Sequence, residues 1–226
     1  VVNYARQERL ALCALLDQTG PHAPTLCAGW TTGDLAAHLV LRERRPDAAA
    51  GVLGGPLAGH TARVQRRIRA KTPFPALVEA IRSGPPRLSV MAIRGMDERA
   101  NTVEYFVHHE DIRRAAPGWE PRELPGEHAD ALWRGLRVAR LLFRRSPVGV
   151  ELARDDKDPE RGLHSVAHGK GDTFRITAKK ATPVVTVIGA PPELILWALG
   201  RTTVANVRFD GTRAAVNRLA GVNRRL

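Results

Sequence analysis

Three side chains, distant in the sequence, have the types and spacing to hold one divalent metal ion. The first is His38, at the end of Gly29-Trp30-Thr31-Thr32-Gly33-Asp34-Leu35-Ala36-Ala37-His38. The other two are Glu104 and His108, in Glu104-Tyr105-Phe106-Val107-His108. Residues four apart on a helix share a face, so Glu104 and His108 present a carboxylate and an imidazole together. A neighbouring antiparallel helix supplies a third donor, His38, as bundle cores commonly do. Imidazole with carboxylate suits Zn²⁺, with Ni²⁺, Fe²⁺ and Mn²⁺ left open by ligand type. Three protein ligands leave one position free for a substrate or cofactor atom, the mark of a catalytic rather than a structural zinc site. Asp111 continues the same stripe and is placed to orient a ligating histidine through its other ring nitrogen. His109 is turned away by more than a right angle. Against this stands a plainer alternative: Glu-x-x-x-His arises often by chance, and a single histidine on an apolar face is usually a hydrogen-bonded core group.

Helices must carry these residues. Residues 3–19 read as an amphipathic helix stopped at Gly20-Pro21. Thr31 or Thr32 opens a second helix, with Thr31 and Asp34 three residues on resembling a capping box, and it runs to about Arg45, before Pro46 and the Ala/Gly-rich 48–59 stretch. Shorter helices are expected at 60–71 and 74–83, then longer ones at 101–115 and 126–145. After Ser146-Pro147 the pattern alternates like strands at 148–152, 174–177 and 184–188. Prolines and an early acid at Pro191-Pro192-Glu193 start a helix that ends at Gly200. A strand at 204–209 and a short helix at 212–219 complete the chain. The expectation is a mainly α chain: a helical domain over 1–146, then a smaller α+β domain over 147–226.

Composition narrows the classes. The 226 residues are 43% hydrophobic, enough to bury a core in each part. The longest apolar run, Val184 to Leu199, is broken by Pro191-Pro192 and carries Glu193, so no bilayer span is expected. The first residues are polar and charged rather than signal-like, which makes a soluble cytoplasmic protein the expectation. Net charge is +12, yet arginine supplies 30 of the 35 basic residues, a ratio that high-GC coding explains as well as a binding surface. The densest run, Arg63, Arg66, Arg67, Arg69 and Lys71, has little aromatic interleaving and reads as a solvated face, so neither a nucleic-acid nor a membrane partner is expected. Cys13 lies in an apolar helical pattern as a small hydrophobe, while Cys27 sits in the turn before Trp30; neither has a CxxC partner. His22, His60, His128, His164 and His168 lack comparable partners and read as surface residues.

Gly-Trp-Thr-Thr-Gly-Asp-Leu-Ala-Ala-His-Leu followed by Glu-Tyr-Phe-Val-His-His-Glu-Asp resembles the metal-binding N-terminal domain of the mycothiol-dependent maleylpyruvate isomerase family, within the DinB-like helical-bundle superfamily. The resemblance covers residues 3–145. Gly189-Ala190-Pro191-Pro192-Glu193-Leu194 and Leu199-Gly200-Arg201 are similar, more weakly, to the small α/β domain that follows in that family. It implies a DinB-like bundle, a divalent metal on His38, Glu104 and His108, and mycothiol, a low-molecular-weight thiol, as cosubstrate. The Val-His-His-Glu-Asp-Ile-Arg-Arg extension resembles a branch described as metal-binding proteins of unassigned reaction. The reading that follows is a mycothiol-dependent transferase or isomerase, whose partners are a small thiol and an electrophilic substrate. Arg42, one turn beyond His38, and Arg201 are candidates for orienting carboxylates, though each equally suits a salt bridge. The alternative is a non-enzymatic metal-binding or stress-related module with the same site and no turnover.

Overall fold

Asn3 accepts a hydrogen bond from the Arg6 amide at 2.8 Å and so opens α1 (Tyr4–Thr19). Gly20 closes it at φ 70°, a rotation that costs glycine little. A full capping box starts α2 (Thr32–Arg44): the Thr31 hydroxyl accepts from the Asp34 amide, and the Asp34 carboxylate accepts from the Thr31 amide at 3.0 Å. Both termini follow the expectations. The computed structural model describes residues 2–49, 56–86, 96–155 and 174–222.

Pro46 does more than interrupt α2. It opens a one-turn helix, α3 (Pro46–Ala49), where a missing amide hydrogen costs nothing. Then come α4 (Ala58–Lys71), α5 (Phe74–Arg82) and α6 (Met96–Arg113), the last starting earlier than the expected 101. Leu12, Cys13 and Leu16 of α1, Leu35 and Leu39 of α2, Leu77, Val78 and Ile81 of α5, and Tyr105 and Ile112 of α6 share one buried core. The apolar faces of four helices thus close on each other, and α4 packs against α2. Among the described residues no helix is long and apolar enough to cross a membrane.

The chain divides into two compact units, Val1–Glu123 and Leu124–Arg225. The sequence places a boundary near 146, which leaves the 126–145 segment with the bundle. Packing groups that segment with the sheet. It is not one helix: α7 (Gly126–Gly135) ends at a glycine, a 3₁₀ turn (Leu136–Val138) follows, and α8 (Ala139–Leu142) completes it. In this second unit β1 (Gly149–Arg154) pairs antiparallel with β2 (Arg175–Lys179) and parallel with β3 (Val184–Gly189). The strand expected at 204–209 is shorter and later, β4 (Arg208–Asp210), antiparallel to β3. Two helices, α9 (Pro191–Ala198) and α10 (Arg213–Ala220), pack on the sheet. Gly149 is required for close approach, since a Cβ there would stand 2.2 Å from the Ala181 carbonyl oxygen. Trp197 of α9 is buried, with Phe143 stacked on it at 5.3 Å and Phe209 edge-on at 5.8 Å.

One buried ion pair joins α1 to α2. Arg9 donates to Glu43 at 2.8 Å, and the Tyr105 hydroxyl of α6 donates to the same carboxylate oxygen. Removing one partner of such a pair leaves the other charge stranded away from water. Glu43→Gln is expected to destabilise the protein by about 3–5 kcal/mol in chemical denaturation. The double change Arg9→Met with Glu43→Leu should recover most of that loss; a single variant as stable as the parent would show that the pair is dispensable.

Candidate metal centre

α2 and α6 bring His38, Glu104 and His108 together. The Nε2 atoms of His38 and His108 lie 3.4 and 3.2 Å from the same atom, Glu104 Oε1. The two rings meet edge to face with centroids 5.3 Å apart. Tetrahedral ligands about 2.0–2.1 Å from zinc stand about 3.3 Å from one another, so the donor spacing fits a single ion. Leu35, Leu39 and Tyr105 face the core from these same helices, which fixes the rotation that turns the three donors toward each other.

Around this triad the partners differ by side. His108 Nδ1 lies 2.9 Å from the Asp111 carboxylate, whose side chain is fully buried. His108 gives its Nδ1 proton to Asp111 in a hydrogen bond and turns Nε2 toward Glu104, so that once the Nε2 proton is displaced the ring is a carboxylate-backed metal ligand. Arg42 Nε stands 3.3 Å from Glu104 Oε1, and Arg42 also donates to Asn101. The Trp30 ring packs on His38 with centroids 5.1 Å apart. Glu104 is the most exposed of the three donors, its side chain 24% accessible against 9% for His38 and 10% for His108.

Electrostatics sort the charges. Burial lowers the His38 pKa, and its hydrogen bond to Glu104 does not make up the loss, so the ring favours the neutral form. Burial pushes the Glu104 carboxyl up, but hydrogen bonds from His108 and His38 and the positive charge of Arg42 hold it well below the usual range. For His108 burial again disfavours charge, yet bonds to Asp111, Cys27 and Glu104 outweigh it and hold the imidazole well above its ordinary value. An incoming cation must displace that proton. Neutral imidazole, carboxylate and carboxylate-backed imidazole make a donor set that fits a divalent ion.

Elsewhere the histidines serve other ends. His109, the immediate neighbour of His108, points to α1 and lies 2.9 Å from Glu8, which Arg122 also clamps with two contacts of 3.1 Å. His60 lies 3.6 Å from Asp47, and His22 is exposed. His128 is a correction: it was expected on the surface and is buried on α7, because its face of that helix packs inward. His164 and His168 lie outside the described residues. Arg201, in the second unit, donates to the Leu199 carbonyl at 2.6 Å. Sequence reasoning missed Cys27, which reaches Asp111 with Sγ 3.2 Å from Oδ2. Arg42, singled out as a carboxylate-orienting or salt-bridge arginine, pairs with Glu104. Cys13 is buried beside the Val78 carbonyl, its pKa pushed up to about 11 by burial, as an inert core thiol should be.

Fold and donors together define a helical bundle in which α2 and α6 bring a His–Glu–His set together. Residues 3–89 match the family described as the mycothiol maleylpyruvate isomerase N-terminal domain. The match covers the part of the chain that carries α1, α2 and His38. A solved structure, "Crystal structure of the mycothiol-dependent maleylpyruvate isomerase", is similar to the chain with a TM-score of 0.50 and 16% identity, covering 92% of this chain and 90% of that one. At that identity the likeness is one of fold. A search of curated proteins gave no match.

The pH dependence follows from the signs. The raised pKa of His108 contributes stability in full below its unfolded value of about 6.5, and this is lost as pH rises through the folded value. The lowered pKa of Glu104 contributes in full above about 4.3 and is lost as pH falls through its folded value. Burial of neutral His38 acts in the opposite sense to His108 below about 6.5. Divalent-cation affinity should therefore rise with pH until the folded pKa of His108 is passed, then level. In the metal-free protein, Asp111→Asn should lower the His108 pKa seen by NMR; an unmoved titration would separate Asp111 from this role.

Proposed function

We propose that the chain is a metal-dependent protein acting with mycothiol, as a thiol transferase or isomerase on an electrophilic small molecule. The observation that carries this is the convergence of two imidazole Nε2 atoms on one carboxylate oxygen, with Asp111 behind His108. The likeness of residues 3–89 to the mycothiol maleylpyruvate isomerase N-terminal domain supports the choice of thiol and reaction class.

In this reading His38, Glu104 and His108 hold a divalent ion such as Zn²⁺. Bound there, the ion supplies the positive charge that keeps a small thiol deprotonated at neutral pH. The chain's own residues do the rest. Asp111 fixes the ring orientation of His108, and Arg42 keeps Glu104 ionised and in place. The Trp30 ring packs against His38 and gives it an apolar neighbour. The thiolate adds to one carbon of an electron-poor double bond, forming a C–S bond as the π pair moves onto the conjugated acceptor group, which takes a proton from solvent if the adduct persists. Retaining that bond is transfer; breaking it after rotation about the former double bond is isomerisation.

Elemental analysis of purified protein, compared with His38→Ala and Glu104→Ala, tests the centre. Both variants should lose bound metal while keeping the parent's circular dichroism. Metal retained at parent levels in either variant would remove the triad as the site. Adding mycothiol to the cobalt-substituted protein should shift its visible spectrum. With the site fully loaded, an unchanged spectrum at saturating thiol would favour the non-enzymatic metal-binding module.

A further inference from the structure

Beside the His–Glu–His set lies a second group with metal-ligand chemistry, made of Cys27, His108 and Asp111, whose donor atoms fall within 4.8 Å of one another. It shares only His108 with the first group. Asp111 Oδ2 stands 2.9 Å from the Nδ1 atom of His108 and 3.2 Å from Cys27 Sγ. The nitrogen that faces Glu104 is the other one, Nε2. Cys27 and Asp111 therefore lie on a different edge of the ring from His38 and Glu104.

The thiol is placed by backbone rather than by chance packing. The Leu26 amide donates to the Asp111 carbonyl at 3.0 Å, tying the turn to α6. Within the turn, the Trp30 amide donates to the Cys27 carbonyl at 2.9 Å. The Thr25 hydroxyl accepts from the Cys27 amide at 3.2 Å and donates to the Trp30 carbonyl at 2.9 Å. A donor held this way needs little reorganisation to meet an ion. Sulfur, nitrogen and carboxylate oxygen together suit a thiophilic divalent cation, with Zn–S near 2.3 Å and Zn–N near 2.0 Å. Such bonds need donor separations only a few tenths of an ångström wider than those observed.

We propose that Cys27, His108 and Asp111 form a second cation subsite for a thiophilic divalent ion of the Zn²⁺ or Cd²⁺ type, back to back with the first across the His108 ring. Cys27 enters as thiolate, its proton passing to solvent as the S–metal bond forms, and the Nδ1 proton of His108 leaves likewise. The subsite rests on the metal-centre reading only through the orientation of His108, and it fills without His38 or Glu104.

Cd²⁺ titration of the metal-free protein, followed by thiolate-to-metal charge-transfer absorption, tests this. The absorption should appear in the parent and in His38→Ala, and should vanish in Cys27→Ser, which keeps the size of the side chain. The chain has two cysteines, so a Cys13→Ala variant that keeps the absorption assigns it to Cys27 even if Cys27→Ser fails to fold. Cd²⁺ bound by the parent without the absorption, and lost in His38→Ala, overturns the subsite while leaving the first centre standing. Absorption that disappears in folded His38→Ala also overturns it, because the thiolate would then belong to the first ion. Absorption retained in His38→Ala and Glu104→Ala, with no other cation bound by the parent, supports the subsite and removes the first centre.

Discussion

A carboxylate drawn out of water into a helical bundle must find positive partners, and Glu104 finds them on one oxygen. His38 and His108 approach it from two helices, and Arg42 approaches from a turn further along α2. Desolvation opposes the charge and the surrounding donors restore it. The crossing of α2 and α6 is thereby tied to chemistry as well as to packing. A helix rotated away from this point would leave a half-buried carboxylate without its positive partners. The same demand for compensation prepares the place for a cation.

The rest of α6 obeys a similar rule on its other faces. Tyr105 reaches the Arg9–Glu43 pair, His109 reaches Glu8, and Glu110 accepts from Arg113, Arg114 and Arg122. Glu8 and Glu110 are both held below the usual carboxylate range: burial raises each, and hydrogen bonds and charge from histidine or arginine outweigh it. Buried pairs of this kind contribute little net stability compared with apolar packing, but a wrong alignment leaves charges unmatched. In this bundle they fix the rotation of α6 about its axis. The donor stripe inherits that rotation.

Much of this was legible in the residues. The Thr31–Asp34 cap, the Gly20 stop and the four-residue spacing of Glu104 and His108 depend on local rules, and the structure follows them. His109 facing away from His108 is likewise helix geometry. What stayed hidden depends on contacts between segments far apart in sequence. Nothing near Cys27 announces that its turn docks on Asp111, and nothing near Glu43 announces Arg9 and Tyr105. The burial of His128 and the break at Gly135 are set by packing in the second unit. The family match stops at residue 89, so it includes His38 and leaves Glu104 and His108 to be found by geometry.

Adjacent histidines with separate partners also make α6 intolerant of slippage. Each added residue turns a helix by about 100°. A single insertion just before His108 would swing that imidazole off Glu104 and carry His109 away from Glu8 in the same movement. Length changes in this chain can therefore accumulate in loops, while the interval from Asn101 to Arg114 must evolve by exchange of side chains alone.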